Sequence, residues 1–152
     1  MRVRIIPQLV DNYSYLVQCS RTGSIAVVDP ADAASVASAV AGTIADGGGQ
    51  LDELWLTHHH ADHTAGAATL ANQFPQARLR GHARDLAKIG SLRDHPRVSA
   101  VDDGDRWQLG ALQIDVIHNP GHTLGAVTFV VTAPPTGSHI RGDAGSEIAA
   151  FT

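Results

Sequence analysis

The sequence has a single cysteine, Cys19, among 152 residues. That excludes an internal disulfide framework and a cysteine-based zinc ribbon. Lysine is almost missing as well: Lys88 stands alone and arginine supplies the rest of the eleven basic residues, a bias that carries no functional reading. Charged residues make up 17% of the chain, below the ~25% usual in soluble domains. The formal net charge of −4 gives no attraction to nucleic acid or to an anionic membrane. No apolar run approaches the ~20 residues needed to span a bilayer. The opening, MRVRIIPQLVDNY, has no apolar h-region and no small-residue cleavage site. No signal peptide is therefore expected, and the protein reads as cytosolic.

What is present fits one globular domain, with 43% hydrophobic residues in a chain of 15.9 kDa. Strands are predicted at Arg2–Leu9, Ser14–Gln18 and Ser24–Asp29. Val36, Val40 and Ile44 recur at four-residue spacing, so Ala31–Ala45 is predicted as an amphipathic helix stopped by Gly47-Gly48-Gly49. A buried strand at Leu51–Leu56 and a helix at Thr64–Phe74 follow, then a short strand at Ala77–Gly81 and a short helix at Ala83–Ile89. From there the texture becomes that of a β-meander, with strands at Arg97–Val101, Arg106–Leu109, Leu112–His118 and Ala126–Thr132. The class is α/β. The tail 134–152 is Gly/Ala/Ser-rich, with only Ile140, Ile148 and Phe151 as large apolar residues.

Nine histidines are present, and four of them fall within 58–63, where even scatter would place fewer than one. The segment Thr57-His58-His59-His60-Ala61-Asp62-His63-Thr64 joins a predicted strand to a predicted helix. Ligands of open α/β sheets bind at such carboxyl ends of strands. In extended chain, residues two apart point the same way, so His58 and His60 can converge on one metal while His59 points elsewhere. Asp62 and His63 follow in the turn and can supply a second metal. Imidazole and carboxylate without thiolate suit zinc, and also iron or manganese. The alternative is a polar surface loop or an accidental metal-binding tract. In Asn119-Pro120-Gly121-His122-Thr123, a sharp Pro-Gly turn presents His122 as a further ligand. His118 is in phase with Leu112, Ile114 and Val116 and reads as a packed core histidine, while His82, His95 and His139 have no constellation around them. Cys19 has no histidine nearby in sequence and no Gly-x-Ser-x-Gly elbow occurs, which argues against a Ser or Cys nucleophile.

These residues resemble the metallo-β-lactamase superfamily, whose His-x-His-x-Asp-His hallmark is matched by His58, His60, Asp62 and His63. Within it the chain is most similar to the glyoxalase II (hydroxyacylglutathione hydrolase) family. The similar stretches are IIPQLVDNYSYLV, VVDPADA, LTHHHADHTAG and NPGHTLGAVTFVV. The resemblance implies an αββα sandwich with a dinuclear site at one edge of its two sheets. It assigns His58, His60 and His122 to one metal and Asp62 and His63 to the other, with zinc as the usual ion and iron or manganese as alternatives. It places a bridging aspartate at Asp143, in the Gly142-Asp143 step. Asn12-Tyr13 matches no ligand and reads as structural.

The implied reaction is hydrolysis of the thioester S-D-lactoylglutathione to D-lactate and glutathione. Two metals sharing a water lower its pKa from 15.7 toward ~7, and Asp62 serves mainly as ligand and orienter. Residues 1–133 match the N-terminal part of that hydrolase domain and 134–152 form an atypical tail. The family's last ligand and its helical glutathione-binding domain have no counterpart before residue 152. The fold is therefore expected to be incomplete in its C-terminal half. Its second sheet is expected to stop near Thr132, leaving an edge prone to self-association. Two other readings stay open: a catalytically impaired metal-binding remnant, and another hydrolase of the superfamily such as a lactonase. The expected partner is a small-molecule thioester, with no nucleic acid and no membrane.

Overall fold

The computed structural model describes residues 1–135 and 146–152. Among these described residues, ten strands and four short or medium helices build two sheets and one helical layer. The first sheet has the order β1 (Arg2–Gln8), β2 (Asn12–Gln18), β3 (Ser24–Val28), β4 (Gln50–Trp55), β5 (Arg78–His82), β6 (Val98–Val101). It is antiparallel from β1 to β3 and parallel from β3 to β6. The second sheet is antiparallel, ordered β10 (Ile148–Phe151), β9 (Val127–Thr132), β8 (Leu112–His118), β7 (Arg106–Leu109).

Helix α1 (Ala33–Gly47) begins two residues later than the apolar spacing predicts. Asp32 takes the N-cap position, and its carboxylate accepts from the backbone N–H groups of Ala34 and Ser35. Val36 and Val40 face the first sheet, where they join Ile25, Val27, Leu51, Leu54 and Leu79 in one core. A second core lies between the sheets, built from Val17, Ala26, Val28 and Trp55 on one side and Ile114, Val116, Phe129 and Val131 on the other. Alternation lets β4 serve both cores, and the register skips Asp52 between Leu51 and Glu53, a bulge that puts Leu51 on the helix side with Leu54. Leu54 and Leu56 face the helices, and Trp55 stacks on Phe129 at 5.4 Å. These are an α layer and two β layers of the predicted αββα sandwich.

Three predicted elements differ in the structure. The helix expected at Thr64–Phe74 is two pieces, α2 (Ala61–Thr64) and α3 (Ala67–Gln73). The break falls at Gly66, whose N–H donates to the Pro30 carbonyl at 3.0 Å; a Cβ there would lie 2.7 Å from that oxygen. Helix α4 (Ala83–Leu86) covers only the start of the segment expected at Ala83–Ile89, and a separate 3-10 turn follows at Gly90–Leu92. The strand after residue 97 is not part of the meander: β6 pairs in parallel with β5 in the first sheet, Leu79 against Val98.

The second sheet does not end at Thr132. Ala133 N–H donates to Glu147 O, and β10 runs antiparallel along β9. Phe151 enters the inter-sheet core and meets Tyr15 at 5.2 Å. Part of the tail thus carries a core residue that its composition did not announce. None of the helices among the described residues is long and apolar enough to cross a membrane.

Candidate metal centre

The loop after β4 and the loop between β8 and β9 meet where the two sheets come together. A backbone bond joins them, Val127 N–H to Thr57 O at 2.9 Å. His58, His60 and His122 converge there, each offering one ring nitrogen within 4.8 Å of the others. Their ring centroids lie 4.8 Å (His58–His60), 4.8 Å (His58–His122) and 4.6 Å (His60–His122) apart. His58 is buried, His60 half-buried and His122 exposed, so the trio opens outward from a protected floor. The cleft beside it has a volume of about 360 Å³ and includes Thr57, His58, His63, Asn119 and His122 in its walls.

The hydrogen bonds fix which nitrogen of His58 is free. Thr57 Oγ1 donates to Asp29 Oδ2 at 2.6 Å, so it must accept from His58 Nδ1–H at 3.0 Å. The lone pair is then on Nε2, which is buried without a hydrogen-bond partner. Burial, followed by the positive potential of His63, lowers the His58 pKa to about 4. A neutral imidazole with a buried, unpaired lone pair aimed at two other imidazoles fits a divalent metal.

Asp62 and His63 form the neighbouring pair, His63 Nε2 lying 3.6 Å from Asp62 Oδ2. His63 Nδ1–H donates to Asp29 Oδ2 at 3.0 Å, which leaves its Nε2 lone pair toward Asp62. This hydrogen bond raises the His63 pKa. Asp62 is oriented by Asn12, whose Nδ2 donates both to its carboxylate at 2.9 Å and to its backbone carbonyl at 2.7 Å. That hydrogen bond holds the Asp62 carboxyl below its ordinary value. His59 turns away, with Nδ1 at 3.0 Å from Asp85 Oδ2. Asp143 lies outside the described residues.

Sequence reasoning missed two residues. Asp29 accepts from Thr57 N–H, Thr57 Oγ1 and His63 Nδ1–H, so one buried carboxylate sets the tautomers of two candidate ligands. It sits at the end of β3 with a φ of 49°, a left-handed conformation that aspartate tolerates better than most residues. An aspartate closing a buried apolar strand was the available signal. Asn12, read as structural, reaches across 50 residues to the site.

His118 and His82 also depart from expectation. His118 is half-buried rather than packed in the core, and its ring stacks on that of His82 at 4.5 Å, nearly parallel. With Asp102 they could be grouped as metal donors. However, His82 Nδ1 accepts from Arg84 N–H, which puts the proton on Nε2, the nitrogen that faces Asp102. Parallel rings also fail to converge their lone pairs, so this is a stacked pair rather than a ligand set.

A profile of the metallo-beta-lactamase superfamily matches residues 8–148. A hydroxyacylglutathione hydrolase of Acidiphilium cryptum is 44% identical over 125 residues, covering 82% of this chain and 46% of its own length. One from Aeromonas salmonicida is 39% identical over 124 residues, again over 82% of this chain and 44% of its own. The chain spans about half the length of the curated relatives it matches. Among solved structures, a B3 metallo-beta-lactamase with an active-site glutamic acid superposes with a TM-score of 0.71 at 18% identity, over 97% of this chain and 57% of that one. ETHE1 from Myxococcus xanthus superposes with a TM-score of 0.68 at 25% identity, over 86% of this chain and 54% of its own.

Proposed function

The chain belongs to the metallo-beta-lactamase superfamily, and from that premise we propose that it is a metal-dependent thioester hydrolase of the glyoxalase II kind. Its substrate in this reading is S-D-lactoylglutathione, cleaved to D-lactate and glutathione. The observation that carries the reading is His58 Nε2, a buried nitrogen without a hydrogen-bond partner that lies beside His60 and His122 in a three-imidazole cup.

His58, His60 and His122 would hold one divalent ion and Asp62 with His63 a second, and the family pattern alone makes Asp143 a further ligand. Zinc suits donors that are nitrogen and carboxylate oxygen without thiolate, and iron or manganese would fit the same set. The chemistry supplied by ions bound there is polarisation of a carbonyl and acidification of water. The rest falls to the protein. Asp29 and Thr57 keep His58 in the tautomer with Nε2 unprotonated. Asp29 does the same for His63, and Asn12 aims the Asp62 carboxylate. Burial keeps His58 neutral at physiological pH, so it need lose no proton on binding a metal. The cleft admits a small acyl group against this wall.

The test is an assay of metal-loaded protein with S-D-lactoylglutathione and with a lactoyl thioester lacking the glutathione part. Hydrolysis of the thioester, lost in His58→Ala combined with His60→Ala, is expected. Cleavage of a lactone in place of the thioester would contradict the substrate assignment. No turnover by a metal-loaded protein would contradict the enzymatic reading and favour a metal-binding remnant.

A further inference from the structure

The three imidazoles come from different sheets, so their convergence depends on how firmly two loops are held together. His58 and His60 follow β4 of the first sheet, and His122 precedes β9 of the second. A single carboxylate oxygen touches both loops. Asp85 Oδ2 accepts from His59 N–H at 3.1 Å and faces His59 Nδ1 at 3.0 Å. The same oxygen accepts from Thr123 Oγ1 at 2.6 Å. His59 lies between His58 and His60, and Thr123 follows His122.

The surroundings of Asp85 favour this contact over a looser one. The residue is 2% exposed and sits on α4, under both loops. Burial opposes its ionisation, but the Thr123 and His59 hydrogen bonds together with the charges of His59 and of Lys88, whose Nζ lies 3.9 Å from Oδ1, hold its carboxyl below the ordinary value. Gly125 lets the His122 loop close on it: a Cβ there would lie 2.7 Å from Asp85 Oδ1 and 2.9 Å from the Asp85 backbone nitrogen. The loop is pinned a second time by His118 Nε2–H, which donates to Leu124 O at 3.1 Å.

We propose that Asp85 is a positioning residue that locks the His122 loop against the His58–His60 loop and so sets the geometry of the three-imidazole cup. Its effect on metal binding rests on the reading of that cup as a metal site; its effect on the loop does not. A substitute must place an acceptor on both loops. Asparagine keeps one oxygen for that purpose but puts an NH2 group beside Gly125, so it should restore the clamp only in part.

The experiment compares wild type with Asp85→Ala, Asp85→Asn and Thr123→Val by amide hydrogen exchange of metal-free protein, then by cobalt(II) titration followed by absorption. In Asp85→Ala and Thr123→Val, exchange in residues 119–126 should rise roughly tenfold or more, the factor implied by losing one charge-assisted hydrogen bond. Strands β2 and β3 should be unaffected, and Asp85→Asn should fall between. Cobalt(II) affinity should drop by ~10–100-fold in Asp85→Ala. Unchanged exchange in residues 119–126 of folded Thr123→Val overturns the clamp, as does a uniform rise across β2 and β3. A loosened loop with undiminished cobalt(II) affinity overturns it too, leaving Asp85 as a packing residue. If wild type binds no cobalt(II), the metal-centre reading falls and the clamp is decided by exchange alone.

Discussion

Asp29 Oδ2 receives His63 Nδ1–H at 3.0 Å and Thr57 Oγ1–H at 2.6 Å, so one buried oxygen governs histidines on both halves of the centre. Asp29→Asn would present an NH2 group to one of these donors. We predict that the second ion, on Asp62 and His63, is lost first, with affinity down by ~10–100-fold. Competition with a chelator measures this. Wild-type affinity in the variant would show that the carboxylate does not set the ligand tautomers.

Asn12→Ala should separate orientation from folding. The side chain reaches Asp62 at the exposed rim, and substitutions at such positions shift stability by only about ±0.5 kcal/mol. The melting temperature should stay close to wild type while the second ion binds more weakly. A large fall in melting temperature with unchanged binding would make Asn12 purely structural.

Glu53 ties the two sheets. Its carboxylate accepts from Trp55 Nε1 at 2.6 Å and Trp107 Nε1 at 2.8 Å, and it pairs with Arg80 at 2.9 Å. Arg80 also lies over the Trp107 ring at 4.2 Å. Glu53→Ala leaves the half-buried Arg80 guanidinium and two indole N–H groups without their acceptor, a change that costs about 1–3 kcal/mol. Denaturant unfolding should register that loss; a shift below ~1 kcal/mol would contradict the network's role.

Gly66→Ala tests the break between α2 and α3. The added methyl would meet the Pro30 carbonyl oxygen and the Ala33 nitrogen, each at 2.7 Å. Overpacking of this kind costs about 1–3 kcal/mol. Thermal melting checks it, and an unchanged or raised melting temperature would mean the segment prefers one continuous helix.

The candidate ligands are legible in the sequence because their spacing is local. His58, His60, Asp62 and His63 fall within six consecutive residues that run from the loop after β4 into α2, and Pro-Gly marks the turn that presents His122. The residues that position them are not local. Asp29 lies 28 residues from Thr57 and 34 from His63; Asp85 lies 26 from His59 and 38 from Thr123. No periodicity reports such pairings. The same distinction explains the fold. Strand positions follow alternation, but whether β6 joins the first sheet or the meander is decided by pairing with β5. The apolar pattern runs unbroken through Gly66, and only the approach of Pro30 splits the helix. Phe151 looks isolated in a small-residue tail and becomes a core residue once β10 pairs with β9.

Elemental analysis of purified protein measures the metal content of wild type against that of His58→Ala combined with His60→Ala. Wild type is expected to carry one firmly held divalent ion and a second held more weakly, with the first lost in the double variant. A wild type without bound metal after loading, or a double variant that keeps the full complement, would contradict the metal-centre reading.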